Sequence, residues 1–90
     1  MSEEKRMGRI EFPCLFPIKV VGCRREDFVT EIHEKVLLLA PDFDQSLSSR
    51  KTSSGGQYES VTIRVNATSQ EHLDSIYRML NQIEGVRFLL

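Results

Sequence analysis

The feature that most constrains the fold is a change of hydrophobic period between residues 58 and 83. From Tyr58 to Ala67, apolar side chains occupy every second position, which is the period of a strand with one buried face. After Thr68 they recur every three or four positions, which is the period of an amphipathic helix. The sequence therefore predicts a half-buried strand that leads directly into a helix, with Thr68 and Glu71 as its capping box.

The other elements follow from similar patterns. Residues 16–22 form a first strand after a proline-punctuated lead-in, and residues 24–40 form a first helix. Residues 45–51 form a weak, serine-rich strand that suits an exposed sheet edge. Gly85 closes the second helix in the left-handed conformation, and residues 86–90 form a short apolar strand. The order βαββαβ predicts a ferredoxin-like α+β two-layer sandwich, with an antiparallel sheet ordered 4-1-3-2 and two helices on one face.

Length and composition fit a small globular domain. The chain has 90 residues, of which 40% are apolar and 28% charged, and its formal net charge is −1. We expect a mobile charged arm at residues 1–10 and a single domain at residues 11–90. A charge near zero argues against a strongly basic nucleic-acid-binding protein. The amino terminus lacks the apolar core of a secretory signal, and no apolar run reaches about 20 residues, which predicts a cytoplasmic protein.

The sequence predicts no metal site, no cofactor and no enzymatic activity. Cys14 and Cys23 would lie at opposite ends of the first strand, roughly 30 Å apart. A disulfide needs Cα atoms within about 7 Å of each other. The cysteine spacing matches no zinc motif, and His33 and His72 do not complete one. No nucleophile–base pairing or phosphate-binding loop is present in the pattern.

Three segments of the chain resemble the small bacterial YbeD family, a domain of unknown function. They are the lead-in EFPCLFPIKVVG, the segment SSGGQYESVTIRVNA and the ending VRFLL, so the resemblance covers residues 11–90. The YbeD family is similar to the ACT domain, a ferredoxin-like module that binds amino acids and regulates metabolic enzymes. The resemblance implies a regulatory or interaction role. ACT domains commonly bind their ligand at the turn after the first strand, which here contains Gly22, Arg24 and Arg25 but lacks the usual Pro-Gly element.

The sheet face that carries no helices is the first candidate for binding an anion or a partner. Alternation places on it the candidate binding residues Lys19, Tyr58, Thr62, Arg64 and Arg87. The three cations Lys19, Arg64 and Arg87 form either an anion-binding cluster or an ordinary solvated surface. RNA recognition on such a face requires exposed aromatic residues on the central strands. That stacking platform is missing from the predicted face, so weak nucleic-acid binding is the least favoured of three functions.

Three leucines are candidates for protein contact. Leu37 and Leu38 fall outside the apolar stripe of the first helix, and they either tuck beneath the loop at residues 41–44 or form a contact surface. Leu89 belongs to the apolar last strand, whose free sheet edge could pair with a second copy as a homodimer. We therefore favour a cytoplasmic regulatory or adaptor domain with an unidentified protein partner. The alternatives are a small-molecule or anion sensor of the ACT type and a weak nucleic-acid binder.

Overall fold

Within residues 11–90, the strand and helix periods of the sequence produce four strands and two helices in the order βαββαβ. The computed structural model describes residues 11–90, so the arm predicted at residues 1–10 lies outside the described residues. The elements are β1 (Cys14–Cys23), α1 (Phe28–Leu39), a 3₁₀ turn (Gln45–Leu47), β2 (Ser49–Thr52), β3 (Tyr58–Ala67), α2 (Gln70–Asn81) and β4 (Val86–Leu89).

The strands form one antiparallel sheet in the order β2-β3-β1-β4. This is the predicted order 4-1-3-2 read from the opposite edge, so the predicted arrangement is confirmed. The two central strands pair along their whole length, from Cys14 opposite Ala67 to Cys23 opposite Tyr58. The two cysteines therefore begin and end the same ten-residue strand, as the sequence predicts.

The hydrophobic core lies between one face of this sheet and the two helices. Alternate residues of the central strands supply the sheet side, and residues three or four apart supply the helix side. Each side chain buried in this way contributes about 1.5–3 kcal/mol relative to its exposed state. The core side chains that are at most 2% exposed include Ile18, Val20, Phe28, Ile32, Val36, Val61, Ile63, Val65, Leu73, Ile76 and Leu80.

Two predicted helix starts are wrong. Helix α1 begins at Phe28 and not at Arg24, because the Arg24 N–H donates to the carbonyl of Gln57 at 3.0 Å and continues the extended pairing of β1. The second helix is capped by the residue after Thr68, since the Ser69 hydroxyl accepts the backbone N–H of His72 at 3.0 Å.

His72, and not Glu71, supplies the reciprocal contact at the start of α2. Its Nδ1 accepts the backbone N–H of Thr68 at 3.1 Å. Its Nε2 therefore carries the proton and donates to the carbonyl of Leu39 at 2.7 Å, which ties the start of α2 to the end of α1. The predicted closing residue Gly85 does adopt the left-handed conformation, with φ of 94°.

The last strand departs from the predicted alternation. The pairing of β1 with β4 shifts between Val21 and Gly22, which makes Arg87 the extra residue of a β-bulge. Leu89 faces the helices and packs against the core, whereas Phe88 takes the open side. Strict alternation from Arg87 would place Leu89 on the open face, and that expectation is wrong because the bulge breaks the alternation between Arg87 and Leu89.

Candidate interaction surfaces

Gly22, a candidate ligand residue, has a packing role. It lies inside β1 and is buried, and not in an open turn. A Cβ at this position would stand 2.6 Å from the carbonyl oxygen of Gly85 and 2.7 Å from Cζ of Phe28. Only glycine lets β1, the start of β4 and the first residue of α1 approach one another this closely.

Arg25, the second candidate in this turn, is engaged within the protein. Its guanidinium forms ion pairs with Asp27 and Glu31, and Nη2 donates to the carbonyl of Glu84 at 3.1 Å. The hydrogen bond to Glu31, and after it the contact with Asp27, raises the pKa of Arg25 above its ordinary value, although desolvation opposes this. Its Cζ lies 5.7 Å from the centre of the Phe28 ring. Arg25 therefore fixes the turn and presents little free charge to a ligand.

The third turn residue, Arg24, is exposed and lines a shallow cleft with Arg50, Gly56 and Glu59. Glu59 is 2% exposed, which is unusual for a carboxylate. Its Oε2 lies 2.5 Å from Nε of Arg50 as an ion pair without hydrogen-bond alignment. The sequence analysis missed this group, although Glu59 is in phase with the buried face of β3.

The open side of the sheet carries a group of apolar side chains that we call the aromatic patch. The aromatic patch consists of Val21, Tyr58, Phe88 and Leu90. Tyr58 is 42% exposed, Phe88 50% and Leu90 63%. Two adjoining shallow clefts share Val21, Tyr58 and Phe88 in their lining. The sequence analysis missed Phe88 on this face because a bulge in a strand as short as β4 cannot be recognised from the hydrophobic pattern.

The predicted cations of the open face form a row and not a cluster. Lys19 lies opposite Thr62 near the middle of the face. Arg64 is two residues farther along β3, and Arg87 is level with Gly22, three residues away in the other direction. The row thus extends over about five residues, or roughly 17 Å. A compact anion cannot contact all three side chains at once.

The open face carries a fourth cation, Lys51. None of the four described strands directs a carboxylate side chain toward this face. Lys51 lies opposite Ser60 on the open side of β2. Glu59, the single carboxylate among the four strands described, points to the helix side. At the far end of the face, Asn66 donates to the carboxylate of Asp42 at 3.1 Å. The open face is therefore basic, although the whole chain has a formal charge of −1.

The two edges of the sheet differ in composition, and both leave backbone groups that point outward. All four residues of β2 are polar and exposed. Just after β4, Leu90 exchanges two backbone hydrogen bonds of 3.1 and 2.9 Å with Lys19 of β1. Because the facing pairs of an antiparallel ladder alternate, the N–H and C=O of Leu89 point outward. On β2 the same alternation turns the amides of Arg50 and Thr52 outward.

Leu37 and Leu38 remain on the surface, 39% and 75% exposed. The interpretation that they tuck beneath the loop at residues 41–44 is wrong. Phe43 closes that end of α1 instead: it is 8% exposed, and its ring centre lies 5.5 Å from that of His33. A protein contact at the two leucines stays a prediction.

His33 joins α1 to the segment that leads into β2. Its Nε2 lies 3.0 Å from Oγ of Ser48. Burial lowers the pKa of His33 below its ordinary value, and a hydrogen bond with Gln45 opposes this shift. Among residues 11–90, no group of three or more His, Cys, Asp or Glu side chains could hold a metal ion. In the same range, neither helix has the length and apolar character of a membrane span.

This arrangement of sheet and helices is an ACT-like ferredoxin fold. Residues 8–90 match the family described as "Protein of unknown function (DUF493)", and the chain belongs to this family. A UPF0250 protein of Shewanella baltica is 47% identical over 90 residues, and one of Chromobacterium violaceum is 42% identical over 90 residues. Both matches cover 100% of each chain. The resemblance to the YbeD-like family is thereby confirmed.

Two solved structures share the fold. The solution structure of protein HP0495 from H. pylori superimposes with a TM-score of 0.71 at 20% identity, covering 100% of this chain and 94% of that one. The ACT domain from GTP pyrophosphokinase of Chlorobium tepidum gives a TM-score of 0.59 at 15% identity, covering 84% and 94%. At these identities the likeness shows the fold alone.

Proposed function

We propose that this protein is a cytoplasmic regulatory or adaptor domain, without catalytic activity, that binds a protein partner along β4. The contrast between the two sheet edges carries the proposal. A short, polar and charged edge such as β2 discourages pairing with other strands. The β4 edge instead offers the outward N–H and C=O of Leu89, flanked by the exposed side chains of Phe88 and Leu90.

The simplest partner is a second copy of the chain. Two β4 strands related by a two-fold axis would pair antiparallel, with Leu89 exchanging both backbone hydrogen bonds with Leu89 of the other copy. The same groups would accept an extended segment of another protein by strand addition. The ACT-like fold supports a regulatory role, because the similar Chlorobium tepidum chain is an ACT domain of an enzyme.

Two substitutions of Leu89 distinguish the contribution of its backbone to this contact from that of its side chain. Leu89→Pro removes the outward N–H and places a ring at the edge, whereas Leu89→Ala removes the side chain and keeps the N–H. Sedimentation at micromolar to millimolar concentration should show wild type and Leu89→Ala assembling, and Leu89→Pro remaining monomeric. Equal assembly of the two variants would contradict pairing through this edge. A wild-type protein that stays monomeric at millimolar concentration would exclude the homodimer.

The exposed leucines of α1 form a second candidate contact. Leu38 is 75% exposed at the end of α1, beside the half-exposed Leu37. A double Leu37→Ser/Leu38→Ser variant should keep the stability of the wild type and lose any partner that uses this surface. If affinity capture from the native cytosol recovers the same proteins with the wild type and with the double variant, the exposed leucines of α1 do not take part in the contact.

A small-molecule sensor is the second candidate function, and the cleft beside the turn between β1 and α1 favours it. Arg24 and Arg50 offer positive charge there, and the exposed carboxylate of Glu26 offers negative charge. This combination suits a small zwitterion. A ligand that binds the folded state raises the melting temperature, so a thermal-shift screen of amino acids with wild type and Arg24→Gln tests the idea. No shift at millimolar ligand would exclude it.

A further inference from the structure

We infer that the open sheet face binds single-stranded nucleic acid, with a base stacked on the aromatic patch and phosphates along the row of cations. This function goes beyond the proposed protein contact, which uses the backbone edge of β4 and the leucines of α1. The bulge at Arg87 carries this inference, because it turns Phe88 onto the open face and so adds a second aromatic ring to Tyr58 there.

The aromatic patch has the form that base stacking requires. Tyr58 lies on β3 and Phe88 on β4, with β1 between them, so their strands are about 10 Å apart. Val21 of β1 pairs with Phe88 and lines the same two clefts as both aromatic rings. A planar base that rests on Val21 can therefore contact both rings. Such stacking tolerates any base, because every base has a π-face.

The cations favour an extended polyanion over a single small anion. Lys19, Arg64 and Arg87 extend over roughly 17 Å, and Lys51 flanks the row on β2. Successive phosphates of a single strand match a row of this kind, and tracking of the backbone by a basic groove is the common mode of sequence-independent binding. An acidic peptide would also attract the cations, but it has no flat ring for the exposed aromatic side chains.

Fluorescence anisotropy with a labelled eight-nucleotide oligouridylate tests the inference directly. We expect binding that weakens with salt, with a slope of log affinity against log salt of about −2, since three neutralised phosphates contribute about −0.7 each for single strands. Lys19→Gln should make this slope shallower by about 0.7. Arg78→Gln, on an exposed position of α2, removes an equal charge from the other layer and should leave the slope unchanged.

Aromatic substitutions test the stacking. Phe88→Ala and Tyr58→Ala should each weaken binding about five- to hundredfold, the usual loss for one stacked base. Phe88→Tyr keeps the ring and should bind as the wild type does. If an alanine variant fails to fold, the Lys19→Gln slope still tests the proposal, because the Lys19 side chain is exposed and does not contribute to the core.

Binding that is weakened in the alanine variants and kept in Phe88→Tyr, with a salt slope that Arg78→Gln leaves unchanged, supports the inference. Three results would overturn it: no binding at low salt, equal binding by the alanine variants, or equal competition by an oligoglutamate of matched charge. The last result would mean that the face attracts any polyanion, including an acidic protein. The Leu89→Pro sedimentation result is independent of all three, so this inference and the edge contact can fail separately.

Discussion

The two edge strands of the sheet have the same length and opposite construction. Strand β2 presents only exposed polar residues, and its attachment includes the ion pair between Arg50 and the buried Glu59. Strand β4 is apolar apart from Arg87, carries a bulge, and starts from the close contact of Gly85 with Gly22. Both edges leave outward backbone groups, but β2 surrounds them with polar and charged side chains, whereas β4 packs against the core and surrounds them with apolar ones.

This difference shows how a fold with two edges can direct association to one of them. A polar edge resists pairing because a partner strand would have to desolvate its charges. An apolar edge loses water readily, and its outward amides gain partners. Changes at the β4 edge should therefore affect folding and association strongly, and changes at the β2 edge should affect them weakly, apart from the buried pair.

The largest expected effect is at the start of β4. Gly22→Ala should lower the free energy of unfolding by about 3 kcal/mol, because the new Cβ meets the backbone of Gly85 and the ring of Phe28. Urea denaturation measures the loss. Gly55→Ala is the matched control, since nothing lies within 4 Å of its Cβ. If the two variants unfold at the same urea concentration, the account of how β4 is anchored is wrong.

The next effect concerns the ion pair behind β2. Arg50→Ala should lower the free energy of unfolding by about 1–2 kcal/mol, because the buried carboxylate of Glu59 loses its counter-ion. Adding Glu59→Gln to this variant should restore part of the loss, since the amide carries no charge. A double variant that is less stable than Arg50→Ala alone would mean that Arg50 does not compensate the charge of Glu59.

A smaller effect, which depends on pH, is expected in the free energy of unfolding from His33, which contacts Ser48 just before β2. Because burial lowers the pKa of His33, the unfolded chain binds its proton more readily than the folded protein does. Stability from this residue is complete above its ordinary pKa of about 6.5 and is lost as the pH falls below that value. His33→Gln should flatten this part of the stability curve in urea titrations between pH 5 and 8. An unchanged curve would rule out His33 as its source.

The smallest effect is expected on the exposed surface of β2. Lys51→Ala should change the free energy of unfolding by no more than about 0.5 kcal/mol, because the side chain is exposed and belongs to no ion pair found among the described residues. Comparison with Arg50→Ala isolates the buried pair, as the two residues are neighbours on one strand. A larger loss of stability in Lys51→Ala would show that exposed charges on β2 stabilise the fold, and not only the ion pair between Arg50 and Glu59.

Most of the fold could be predicted from the sequence because strand and helix periods are strong local signals. The buried faces of β3 and both helices follow directly from the spacing of Val61, Ile63, Ile32 and Ile76. The start of α2 could not, since Thr68 and Ser69 are neighbouring hydroxyl residues that could each cap the helix. The contacts of His72 with Thr68 and with Leu39 of α1 accompany the choice of Ser69.

The candidate surfaces were predicted less well, for two physical reasons. A bulge depends on how two strands fit together, so the local sequence around Arg87 does not reveal that Leu89 faces inward and Phe88 outward. A turn residue such as Arg25 offers a free charge to a ligand only if no neighbouring carboxylate pairs with it. Asp27 and Glu31 both form ion pairs with Arg25, and the local sequence does not reveal this. Glu59 was detectable from its phase, because it shares the face of Val61.

Amide hydrogen exchange tests the contrast between the edges most directly. The N–H groups of Leu89 on β4 and of Arg50 and Thr52 on β2 all point outward, so an isolated copy should exchange all three rapidly. As the protein concentration rises from micromolar to millimolar, or when a captured partner is added, we predict that Leu89 becomes protected while Arg50 and Thr52 stay unprotected. Exchange at Leu89 that remains as fast as at Arg50 under both conditions would contradict a contact through β4.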